Sequence, residues 1–181
     1  MMDKYIVALK VAYSGCRVLL SKLIFRRQFS TKKIFFTTDL PHIRCRVNGR
    51  IYIGNVKFRN GCRIFSDGGK ISISDGCFIN NDCSFNAKGR IEIGENTLFG
   101  EGVKIYDHNH RIGNSYVVSK IEFDVSDVII GRNCWLGSNV TILKGVKLAD
   151  NVIIGAGSVV TKSIFEPGVY ISSNGGLKKI K

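Results

Sequence analysis

Residues 130–165 read IGRNCW LGSNVT ILKGVK LADNVI IGAGSV VTKSIF, six consecutive units of six residues. The first residue of each unit is Ile130, Leu136, Ile142, Leu148, Ile154 and Val160, aliphatic every time. The fifth is Cys134, Val140, Val146, Val152 and Ser158, always small or β-branched. An α-helix repeats its apolar face near 3.6 residues and a flat strand near 2, so a period of six is neither alone. It fits short strands joined by tight corners, each strand turning one aliphatic side chain inward. Three such strands close one triangular coil, and coils stack at about 4.8 Å, the ordinary strand spacing. The expected fold is mainly β, a left-handed parallel β-helix and hence an exception to the right-handed crossover rule.

Upstream the pattern continues less cleanly. Inward positions fall at Phe58 and Ile64, at Ile73, Ile79 and Phe85, and at Ile93, Phe99 and Ile105. Within a coil the step is six; between coils it stretches to nine after Ile64, eight after Phe85 and 25 after Ile105. All three stretches follow the third face, so the extra residues emerge at one corner of the prism. Two are bulges and the third is a loop-out over 107–127. A regular solenoid usually carries its function on such insertions.

The chain divides on this reading into residues 1–50, a basic helix and connector; 51–172, the β-helix with its loop-out; and a basic tail, 173–181. Of the net charge of +13, +9 lies in residues 1–50, with 11 Lys/Arg against Asp3 and Asp39. The N-terminal segment, about 3–29, reads as an amphipathic helix, with Leu9, Val11, Leu19, Leu20, Leu23 and Ile24 among basic residues. It either packs on the β-helix or a neighbouring subunit or lies on an anionic membrane surface. No run is apolar enough to span a bilayer, and Lys10, Arg17 and Lys22 interrupt any leader-like stretch; the expectation is a cytoplasmic protein, peripheral at the inner membrane face if that helix binds lipid. No nucleic-acid-binding motif accompanies the basic residues. Cys62, Cys77, Cys83 and Cys134 occupy the fifth, inward position and read as small apolar residues; Cys16 and Cys45 fall outside the repeat. No metal site is expected.

Only three histidines occur, and two stand together in Tyr106-Asp107-His108-Asn109-His110, at the start of the loop-out. An imidazole near its unperturbed pKa can take the proton of a hydroxyl attacking a thioester. His108 lies three residues after the inward Ile105, closer to the scaffold than His110. Elsewhere Asn81, Glu101, Ser138 and Ala156, each two residues beyond the same face, form a row along the axis. The small Ser138 and Ala156 could floor a groove for an extended ligand.

The segment IIGRNCWLGSNVTILKGVKLADNVIIGAGSVVTKSI (129–164) resembles the C-terminal part of the galactoside/maltose O-acetyltransferases, and especially the capsular and exopolysaccharide O-acetyltransferases. The likeness spans about residues 70–172. It implies a homotrimer that binds acetyl-CoA in a groove between β-helices and acetylates a sugar hydroxyl in surface-polysaccharide biosynthesis. By resemblance, His108 is the catalytic base; Ser138, Ala156, Thr161 and Lys162 contact acetyl-CoA; Trp135 lines the site and Asn81 borders the acceptor. From their place in the loop, Asp107 either orients the His108 ring or caps the loop, and His110 acts on the acceptor side. The chain departs from the family at its end, SSNGGLKKIK, where a proline-containing segment is usual, and in its N-terminal segment. The rival readings are a sugar N-acetyltransferase, a non-catalytic β-helix scaffold, and a γ-class carbonic anhydrase, which needs three histidine ligands on the coils.

Overall fold

A computed structural model describes residues 2–24, 28–31, 41–173 and 176–181. The chain winds as a left-handed parallel β-helix whose three faces are sheets of six, seven and six strands. One turn runs through Arg90–Ile93 on the first face, Leu98–Phe99 on the second and Lys104–Tyr106 on the third. The coil strands pair in parallel with the equivalent strands one coil away: Phe99 with Ile79 and Leu136, Ile105 with Phe85 and Ile142, Ile130 with Ile93 and Leu148; the seventh strand of the second face, Gly176–Lys179, is antiparallel to Gly168–Ser173. Every inward position read from the repeat is buried, from Phe58 to Val160.

The fourth position of the first five hexads explains the corners. Asn133, Asn139, Gly145, Asn151 and Gly157 all have φ between 53° and 81°. That left-handed backbone is tolerated by Gly and Asn and strains most other residues, so the polar fourth residue is the turn signal. The fifth position is a hydrogen-bonding slot as well as a packing one. The thiols of Cys77, Cys83 and Cys134 donate to Gly94, Gly100 and Ala149 carbonyls at 3.2 Å, and Thr97 Oγ1 donates to Gly131 O at 3.0 Å. Ser158 fills the same slot in the fifth of the six hexads. Its buried hydroxyl has no partner among the described residues.

The coils begin earlier than residue 51. Phe29–Thr31 pairs with Ile51–Ile53, and His42–Arg46 pairs with Arg63–Asp67, turning Cys45 inward. Burial pushes the Cys45 and Cys77 thiols up to about 11. The N-terminal helix spans Met2–Ile24, shorter than the expected 3–29. Phe29 belongs instead to the first strand, where it is 3% exposed and packs in the core; residues 25–27 lie outside the described residues. Helix residues Ser14, Gly15 and Val18 are buried, while Tyr5, Leu9, Tyr13, Leu20 and Leu23 are exposed. Cys16 lies on the exposed side. No helix among the described residues is long and apolar enough to cross a membrane.

Candidate active site

The loop-out leaves at the corner between the third and first faces, as the stretched spacings place it. It is not irregular: His108–Ile112 pairs antiparallel with Val118–Val125, with a bulge between His110 and Ile112. Its base is closed by the His108–Val125 pair and by Ser126 N donating to Asp107 O at 2.8 Å. The hairpin is therefore a two-stranded sheet of its own, tied at its root to the corner of the prism.

Asp107 is fully buried at this corner, and its carboxylate is held from two sides. The backbone N–H groups of Lys88 and Gly89, one coil earlier, donate to it at 2.9 and 2.7 Å. His108 Nδ1 lies 2.8 Å from Asp107 Oδ1. A carboxylate can only accept, so Nδ1 carries the ring proton in this pair and Nε2 is left as the basic nitrogen. The His108 side chain is 17% exposed. Phe123 of the returning strand packs edge-on against it, centroids 5.4 Å apart, and the Lys88 ammonium sits 4.0 Å above the same ring while bonding Asp67 at 2.7 Å. A pocket of about 150 Å³ opens beside His108, over Tyr106 and Asn86 to Phe65. His110 is exposed and engaged within the hairpin, its Nδ1 2.8 Å from Ser119 O.

The sequence reading missed Lys88, Gly89 and Phe123. The cradle for Asp107 comes from the small bulge after Phe85, so the eight-residue spacing there was its signal. A Cβ at Gly89 would stand 2.6 Å from Val125 Cγ1, so a side chain there would have to displace that valine at the hairpin root. Phe123 lies within the insertion, where no periodicity points to it.

The other candidate residues are not beside His108 in the same chain. Asn81, Glu101, Ser138 and Ala156 stack as a row on the edge between the second and third faces: Asn81 Nδ2 donates to Glu101 Oε1 at 3.0 Å, and Gly157 N donates to Ser138 O at 2.8 Å. Ser138 is half-buried and Ala156 exposed. Gly137, between them, lets the coils meet, as a Cβ there would stand 2.6 Å from Ala156 N. Trp135 is on the second face, 52% exposed and paired with Leu98. Thr161 and Lys162 follow the last strand of the third face, on the His108 edge but coils farther along, beside a cavity of about 510 Å³ that also touches Tyr170 and Leu177. His42 stands on the third face, in the strand His42–Arg46.

The family model for the bacterial transferase hexapeptide (six repeats) matches residues 127–162. An Escherichia coli K12 protein named as a lipopolysaccharide biosynthesis O-acetyl transferase is 35% identical over 131 residues, covering 67% of this chain and 67% of its own. The crystal structure of a maltose O-acetyltransferase from Clostridium difficile 630 is 30% identical with a TM-score of 0.58, covering 98% of this chain and 82% of that one. A polysialic acid O-acetyltransferase structure is 27% identical with a TM-score of 0.61, covering 78% and 68%. The chain spans only 30 to 49% of the length of three further curated relatives. The β-helix of hexads carries the buried Asp107, in contact with His108, at the root of its 108–125 hairpin. The chain belongs to the hexapeptide-repeat acyltransferase family.

Proposed function

We propose that the protein moves an acetyl group from acetyl-CoA to a sugar hydroxyl, in the assembly of a surface polysaccharide, with His108 as general base. The observation that carries this reading is the Asp107–His108 contact at 2.8 Å, with Asp107 buried and anchored by two backbone N–H groups. In that arrangement His108 Nε2 accepts the proton of the acceptor hydroxyl as its oxygen bonds to the thioester carbonyl carbon. The C–S bond of the tetrahedral intermediate then breaks, and the imidazolium returns the proton to the departing thiolate. Asp107 holds the ring and offsets the imidazolium charge. The O-acetyltransferase relatives support transfer to oxygen and acetyl-CoA as donor.

Ser138, Ala156, Thr161 and Lys162 are the proposed acetyl-CoA contacts, and Asn81, Trp135 and His110 the acceptor-side residues. Because the Ser138–Ala156 row and His108 occupy different edges of one prism, a site using both is assembled between two copies, which favours a homotrimer. The exposed apolar side of the Met2–Ile24 helix, in a segment of strong positive charge, supports peripheral contact with an anionic membrane.

The test is release of free CoA from acetyl-CoA across nucleotide sugars, lipid-linked oligosaccharides and polysaccharides, with product mass read in parallel. Acceptor-dependent CoA release with an added acetyl mass on oxygen is expected. Acetyl-CoA binding without transfer to any of them would favour a scaffold, and acetyl on nitrogen would favour an N-acetyltransferase.

A further inference from the structure

The outward side of the third face, which leads up to His108, is basic. Its strands turn His42, Arg44 and Arg46, then Arg63, Phe65 and Asp67, then Ser84 and Asn86, with Lys88 in the bend just beyond, then Lys104 and Tyr106 away from the core. The one carboxylate among them, Asp67, is neutralised by Lys88. Lys104 turns to its own corner, 3.0 Å from Gly102 O. No described carboxylate forms an ion pair with Arg44, Arg46 or Arg63.

We propose that this face is the acceptor track and that the acceptor is an acidic glycan chain whose carboxylates meet Arg44, Arg46 and Arg63; this rests on the transfer reading above. Arg44, Phe65, Asn86 and Tyr106 are in register, so they form one line across four coils. The pocket beside His108 follows that line as far as Phe65, and the Arg44 guanidinium lies 5.6 Å over the Phe65 ring at its far end. At about 4.8 Å per coil, Arg63 stands about 10 Å and Arg44 and Arg46 about 14 Å from the level of His108. The cations therefore lie beyond the reach of the sugar being acetylated and within reach of a chain that continues from it. Half-buried Phe65 and Tyr106 offer rings for the apolar sides of pyranoses, and arginine forks match carboxylates in two-point pairing.

The experiment is calorimetric titration of the full chain with tetragalacturonate and with its methyl-esterified, uncharged form. The acidic tetramer should bind tighter by about tenfold or more at low salt, with the margin shrinking as KCl is added. The variant carrying R44Q, R46Q and R63Q, three exposed positions, should lose that margin while its melting temperature stays unchanged. Equal binding of the two tetramers, a preference that survives in the variant, or UDP-galactose binding as tightly as the tetramer through the same arginines would overturn the proposal. A parallel titration of the unaltered protein with acetyl-CoA separates the two readings. Its failure would strike the transfer chemistry, and the glycan margin would remain measurable on its own.

Discussion

The solenoid and the hairpin use the same building block, a short strand, to opposite ends. In the solenoid each strand gives one side chain to the interior, and neighbours one coil away repeat the choice: Ile79, Phe99, Leu136 and Ile154 are stacked and 0–1% exposed. Side chains there fix the shape. In the hairpin the alternation is abandoned and almost every residue from Asn109 to Asp124 is exposed. What orders it is its root, where Asp107 is still a core residue and His108 is the first beyond it. The proposed base stands at the junction, where a side chain can be held by something rigid and yet stay open on one side.

Three expected outcomes would sharpen or break this contrast. The largest is at the root. His108→Ala should lower kcat by roughly 10²–10⁴-fold, the range for loss of a general base, with acetyl-CoA affinity unchanged by calorimetry. His110→Ala should cost less and act chiefly on acceptor KM. If the two variants exchange these effects, the base is misassigned; if both stay active, the hairpin is not the site. Next comes the prism. Ile142→Ala, at a site with no exposure, should cost about 2–5 kcal/mol in denaturant unfolding, while His110→Ala should leave the unfolding midpoint unmoved. A comparable loss at His110 would mean that the hairpin is part of the stabilising core.

The smallest effect concerns the buried thiols. Cys45 and Cys77 ionise near 9 when exposed and at about 11 in the folded chain. Between those values the folded chain keeps a proton that the unfolded chain has released, so their contribution to stability is complete below about pH 9 and is lost as pH rises towards about 11. Unfolding midpoints at pH 8 and pH 10 should differ less in the Cys45→Ala, Cys77→Ala double variant than in the unaltered protein. An equal difference would place the pH dependence elsewhere.

Much of the fold could be read from period six, because each coil repeats one physical requirement and Ile130, Leu136 and Ile142 state it three times over. The corner rule was equally present in Asn133, Asn139 and Gly145 but shows its meaning only through their left-handed backbone. The early coils at Phe29–Thr31 and His42–Arg46 were hidden because long connections break the period there. At the site, position along the chain pointed to His108, and the spacing after Phe85 marked the bulge. That Lys88 and Gly89 aim their N–H groups at Asp107 depends on coil stacking, which brings residues 18 and 19 apart into contact. Phe123 left no trace, since an insertion has no repeat to depart from.

The central claim is that His108 of one copy works on acetyl-CoA held along the Ser138–Ala156 edge of another. Mixing two inactive variants tests it most directly: His108→Ala, which keeps the groove, and Ala156→Trp, which fills the groove at an exposed position and keeps the base. Co-refolded together, they should regain acetyl transfer, because mixed assemblies contain sites with an intact histidine from one copy and an intact groove from its neighbour. If the mixture stays as inactive as its parts although mixed assemblies form, base and groove belong to a single chain and the shared site is wrong.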